Sequence, residues 1–193
     1  MASKGCKYIQ WAPFAATNPE PVSAVPSYGT PVNLGALSKA TDAPAFNEAK
    51  IHGDNALDEY ANEFKECSID VEVTELSNAV AAGIFGATLG AGEDTDLKFG
   101  ADDVAPYGGL AYIVCKQVHN VNKYQGIYYP KVKAAMQGEE YTTKGESVTL
   151  SGGKVKFTAM RCNSGDWKIK SADLADEAAA KTWVDAKIKA AAI

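Results

Sequence analysis

The stretch Cys67-Ser-Ile-Asp-Val-Glu-Val-Thr-Glu-Leu76 constrains the fold more than any other segment of the chain. Ile69, Val71 and Val73 alternate with Asp70, Glu72 and Thr74. Successive side chains of a strand point to opposite faces, so three β-branched residues share one face and the acids share the other. Such a strand needs a core on one side and water on the other.

Other segments repeat the signal. Residues 5–12 read as an edge strand. Residues 34–76 read as a series of strands, with turn signals at Asp42-Ala-Pro44 and Gly53-Asp54-Asn55. Gly109–Val118 is a strong apolar run, and Tyr124–Lys133 continues the sheet. Glu146–Ser151 and Lys154–Met160 flank Gly152-Gly153 as a hairpin, because paired glycines supply the positive φ angles of a tight turn. Residues 13–33 hold five of the eight prolines, which blocks helix and interior strand alike, and are expected to form an arm or loop. Residues 40–66 are too long for a simple turn and are expected to be a long loop or hairpin. The Gly- and Asp-rich residues 90–107 read as a loop.

Two helices break the pattern. Ser77 is placed to cap a short helix over 77–85, with Val80, Ile84 and Phe85 on one side and Gly86 as its stop. Residues 171–193 are Ala-rich, with Asp173, Asp176 and Glu177 near the start and Lys187 and Lys189 near the end, an order that complements the helix dipole. Leu174, Ala178, Val184 and Ile188 are expected to form its apolar stripe. No internal repeat or linker divides residues 1–193. The expected fold is one mainly β domain, a β-sandwich or partial barrel of antiparallel strands with a short flanking helix and a C-terminal helix.

The chemistry a catalyst would need is missing from the pattern. The formal net charge is −5 and Arg161 is the only arginine, which disfavours a groove-reading nucleic-acid binder. Cys6, Cys67, Cys115 and Cys162 lack the close pairing of a metal site and read as free thiols. His52, beside Gly53, reads as a turn residue, and His119, before Asn120, as a strand end. Gly86-Ala-Thr-Leu-Gly-Ala-Gly92 follows a helix and lacks the lysine of a phosphate loop. Asp94, Asp96, Asp102 and Asp103 lack the ligand order of a calcium loop and read as solvated acids. The expectation is therefore no catalytic, metal or cofactor residue. Gln10 and Pro13 break the first apolar stretch, so it reads as a strand and not a signal peptide. No run approaches the roughly 20 apolar residues of a spanning helix, so no membrane anchor is expected.

The order of these pieces resembles the major tail proteins of siphophages over most of the chain. The Pro-rich arm ends in Tyr28-Gly-Thr-Pro-Val-Asn-Leu-Gly-Ala-Leu37; Ile51-His-Gly-Asp-Asn55 follows, then the 69–76 strand. The short helix closes with Ile84-Phe-Gly86, and Pro106-Tyr-Gly-Gly-Leu-Ala-Tyr112 opens an aromatic, β-rich half. The resemblance implies a structural subunit of the virion tail, assembled in the host bacterial cytoplasm into stacked, hexameric rings. It implies a tube fold similar to those of contractile tails and type VI secretion. Its partners would be other copies of itself, a tape-measure protein, and tail terminator and tip proteins. DNA would pass through the lumen without specific binding.

Within that reading, the acidic face of the 67–76 strand makes Asp70 and Glu72 candidates for the lumen, where like charge would keep phosphates from sticking. The opposing reading places both in outer solvent. Tyr28, Pro31, His52, Asp54 and Asn55 are the candidates for contacts between rings, in an arm and a loop expected to be loose until assembly. Competing functions are a tube subunit of a phage-derived particle or secretion system, and a β-sandwich carbohydrate- or receptor-binding module of a tail tip. For the binding module, Tyr124, Tyr128, Tyr129 and Trp167 are the available aromatics.

Overall fold

A computed structural model of the chain describes residues 2–17, 19–21, 26–53, 56–91, 95–138 and 152–189. The strands are β1 (Ala2–Pro13), β2 (Val32–Asn33), β3 (Leu37–Gly53), β4 (Ala56–Val73), β5 (Thr88–Leu89), β6 (Leu97–Lys98), β7 (Tyr107–Val118), β8 (Val121–Ala135), β9 (Gly153–Ala159) and β10 (Ile169–Lys170). The helices are α1 (Asn78–Phe85) and α2 (Glu177–Lys187). Eight strands form one antiparallel sheet in the order β2-β1-β7-β8-β9-β4-β3, with β10 added to β8. β5 and β6 pair separately. The sheet curls until β1 meets β3, where the Cys6 thiol lies 3.8 Å from the Ser38 carbonyl, but no ladder closes it into a barrel.

Alternation decides the inner face. Cys67, Ile69, Val71 and Val73 of β4 are all buried. They meet Val155 and Phe157 of β9, Leu110 and Tyr112 of β7, and Ile127 and Tyr129 of β8 in the main core. The middle parts of β7 and β8 are buried on both faces, which explains why Gly109–Val118 reads as an apolar run. Their other face offers Ala111, Ile113 and Tyr128 to a second core, covered by Ala180 and Val184 of α2, by its C-cap Ile188 and by Tyr28. Burying each large side chain of these layers contributes roughly 1.5–3 kcal/mol.

Local chemistry fixes the ends. Ser77 Oγ accepts from the Val80 amide, and Gly86 closes α1 at φ 72°, both as expected from sequence. β7 turns into β8 through His119 (φ 47°) and Asn120 (φ 64°), the pair of left-handed residues that matches strand twist in a two-residue hairpin. β1 carries a bulge between Lys7 and Gln10, with Tyr8 at φ 54°. The bulge turns the Tyr8 hydroxyl to Asp185 of α2 at 2.9 Å.

Several expectations are corrected. Asp42-Ala-Pro44 is no turn: β3 runs through it, and Pro44 sits opposite Cys67 on an edge strand that tolerates a missing donor. The segment 90–107 contains β6. The C-terminal helix starts at Glu177 and not at 171, because Asp176 caps it by accepting from the Ala179 amide. The residues before it serve the sheet: Ser171 Oγ accepts from the Gly126 amide, and Leu174 bridges to Tyr124. Ala178 is exposed and Ala180 takes its place inward. β9 pairs with β4 and β8. The expected hairpin arm 146–151 lies outside the described residues.

α2 docks because Gly126 has no side chain. A Cβ there would meet Trp183 Cε3 at 2.2 Å. Gly126→Val should destabilise the protein by about 2–3 kcal/mol through overpacking, with a changed Trp fluorescence signal as the helix lifts. An unchanged denaturation midpoint would contradict this packing.

Candidate functional site

β3 and β4 are 17 and 18 residues long, far longer than their neighbours in the core need. β9 pairs with β4 only from Cys67 to Val73. Beyond Cys67 the two strands pair only with each other, from Ala45–Glu66 out to Gly53–Ala56. The hairpin therefore projects about 25 Å beyond Phe46 at the rise of an extended strand. Among the described residues no third layer covers the two strands, and an isolated hairpin is marginally stable in water. Phe46, Ile51 and Tyr60 are 44, 59 and 47% exposed on it.

Its root is clamped. Phe64 stacks on Trp167 with centroids 4.5 Å apart and an interplanar angle of 13°, and Phe46 meets Phe64 edge-on at 5.9 Å. Beside them the Lys168 ammonium pairs with Asp42 and lies over the Tyr129 ring. This clamp holds the hairpin at a fixed direction to the body.

The register divides the hairpin into two faces. Phe46, Glu48, Lys50, Tyr60, Asn62 and Phe64 share one, where Lys50 and Glu48 form an ion pair at 3.0 Å. Asn47, Ala49, Ile51, Glu59, Ala61 and Glu63 share the other and are all exposed. Among the described residues neither Glu59 nor Glu63 has a cationic partner.

The sequence candidates fall in different places. His52 pairs with Leu57 near the end of this hairpin, and the turn residues Asp54 and Asn55 lie outside the described residues. Tyr28 is 1% exposed, so its side chain belongs to the subunit's own core. Its hydroxyl pairs with that of Tyr128 and donates to the Pro130 carbonyl at 2.7 Å. Burial pushes both phenols far above their ordinary pKa. Pro31 is half-buried beside β2. The described part of the 13–33 arm is not loose. Glu20 pairs with Lys131 at 2.7 Å, and the Asn163 amide donates to its carboxylate at 2.8 Å.

Asp70 and Glu72 lie on the outward face of β4, on rungs that carry lysines. Glu72 sits between Lys39 and Lys154, and Asp70 between Thr41 and Lys156. Lys39 reaches Glu72 at 3.7 Å, and Gln137 donates to Asp70 at 2.8 Å. Cross-strand pairing thus offsets the field of the two acids, a fact invisible along one strand.

Chemically, the hairpin surface offers exposed apolar side chains and carboxylates. Among the described residues no three His, Cys, Asp or Glu side chains are grouped to hold a metal. Burial raises the Cys67 thiol pKa, which disfavours the thiolate. No family model matches the chain, and no curated protein matches it.

The clamp generates a prediction. Trp167→Ala should leave the core intact but loosen the hairpin root by about 1–3 kcal/mol. Amide exchange should then accelerate in residues 46–51 and 59–64 and stay unchanged in β7 and β8. Uniform exchange across the sheet would contradict a local clamp.

Proposed function

We propose that the chain is a self-assembling structural subunit of a phage tail tube, stacking as rings around a tape-measure protein, with DNA passing through the lumen. The projecting β3–β4 hairpin is the observation that carries this reading. An exposed ribbon with apolar side chains and a free edge on β3 is a liability in a monomer and an adhesive in an assembly. Repetition of one heterologous contact by rotation gives a ring, and repetition along an axis gives a tube. The outer edge of β3, which pairs with no strand but β4 among the described residues, supports the same reading, because a neighbour's strand can meet it. Terminator and tip proteins would cap the two ends of such a tube.

We assign contacts between rings to His52, near the end of the described hairpin, and to Asp54 and Asn55, which follow it in the sequence, with Pro31 on the arm beside β2. Tyr28 would act by holding that arm to its own subunit. Asp70 and Glu72 remain our lumen candidates, on a face whose charge is balanced by lysines.

Trimming the hairpin tests assembly. Replacing residues 47–63 with Asn-Gly closes Phe46 to Phe64 through a tight turn and leaves the clamp in place. The full chain should sediment as large, concentration-dependent species, and the trimmed chain as a folded monomer. Equal assembly of both would remove the hairpin from the interface. The lumen assignment has its own test. Asp70→Lys with Glu72→Lys turns the charge on both rungs wholly positive; tubes should form while DNA ejection slows. Normal infectivity of that double variant would show that this face does not meet DNA.

A further inference from the structure

The chain's acidity is concentrated in the hairpin. Residues 44–66 hold six carboxylates against two lysines, so this segment accounts for −4 of the net charge of −5. On its unclamped face Glu59 and Glu63 flank the small residues Ala49 and Ala61, with Ile51 opposite Glu59. Among the described residues, this surface carries two carboxylates without a cationic partner and one exposed apolar side chain. Among the described residues nothing covers it.

A surface of opposite character lies where β1 begins. A recess of about 250 Å³ is lined by Lys4, Gly5, Cys6, Lys7, Cys115 and Asn122. Gly5 leaves it open: a Cβ there would meet nothing within 4 Å. Lys7 pairs with Glu177, which Lys181 also contacts at 2.9 Å, so one carboxylate faces two ammonium groups. Lys4 reaches only the Asn122 side-chain oxygen, at 3.4 Å, and has no carboxylate partner among the described residues. Val121, next to Asn122, is 55% exposed. The recess thus offers excess positive charge and one apolar neighbour, the complement of what the hairpin face offers.

The ladders put both surfaces toward the same end of the sheet. Cys67 and Val132 both pair with Ala159. From that level β4 runs back to the hairpin tip, and β8 runs back in the same sense to Val121, where Ala2 of β1 pairs with Gln117 of β7. Two complementary surfaces toward one end of a subunit suit a contact repeated by rotation.

We propose that the Glu59–Glu63 face of the hairpin docks on the lysine-lined recess beside Gly5 of a neighbouring copy of this chain, and that this is the contact that closes the ring. The inference rests on the self-assembly reading above. Glu59 and Glu63 meet Lys4 and Lys7, and Ile51 packs on Val121. Charge complementarity of this kind sets partner register and orientation as well as affinity.

A charge swap tests it in the full-length chain, read as the critical concentration for assembly by sedimentation. Glu59→Lys with Glu63→Lys places lysines against lysines. Lys4→Glu with Asn122→Asp places carboxylates against carboxylates; both sites are exposed and leave the Lys7–Glu177 pair untouched. Each double variant should raise the critical concentration at least about tenfold, and the combined variant should return it to within about threefold of the parent. Assembly of either double variant at the parent's concentration would overturn the proposal, as would failure of the combined variant to recover. Those outcomes leave the tube reading standing, because the parent still assembles. A parent chain that never assembles would overturn both.

Discussion

Among the described residues, the outer half of the β3–β4 hairpin is covered by nothing but its own two strands, and the rest of the molecule depends on this constraint. Nearer the body, β4 is held between β3 and β9 and hides Cys67, Ile69, Val71 and Val73 in the main core. Past Cys67 the same strand leaves that support and exposes both faces. The Phe46–Phe64–Trp167 cluster and the Asp42–Lys168 pair sit at the transition. They convert a ribbon of marginal intrinsic stability into a directed projection. Elsewhere the body closes on itself. α2 and Tyr28 close the second core over β7 and β8, and Glu20 fastens the arm to Lys131 and Asn163.

Charge follows the same division. The hairpin carries most of the net negative charge, whereas the body pairs its acids with lysines across strands or across elements. Solvent-exposed pairs of this kind add little stability individually. Their effect is to leave the body nearly neutral, so that the hairpin is the feature a neighbour's cations would encounter. An assembly contact of this type weakens with salt, because exposed charges are screened within about 10 Å at 0.1 M ionic strength.

Much of this was legible in the sequence, for identifiable reasons. The Ile69–Val73 alternation gave the buried face of β4, and Ser77 with Gly86 gave both ends of α1, because each signal acts over a few residues. The hairpin over 40–66 shows in the sequence as a length with a turn signal at Gly53-Asp54-Asn55, and Pro44 reads as punctuation because edge position is a property of the sheet. The start of α2 was misjudged because Ser171 and Leu174 answer to Gly126 and Tyr124, some 45 to 50 residues away. The candidate surface was the least legible part. The lysines opposite Asp70 and Glu72 lie on other strands, Tyr28 is buried by Tyr128, and Glu59 and Glu63 share a face only once the register is fixed. An exposed aromatic and acidic alternation in Glu59–Phe64 was the available signal for the hairpin surface.

The central claim is that this chain is built to assemble with itself. Electron microscopy of the purified protein across a concentration series tests it most directly. The account predicts stacked rings or hollow tubes that become more abundant as concentration rises. Compact single particles at every concentration, with the hairpin bare on each, would contradict it.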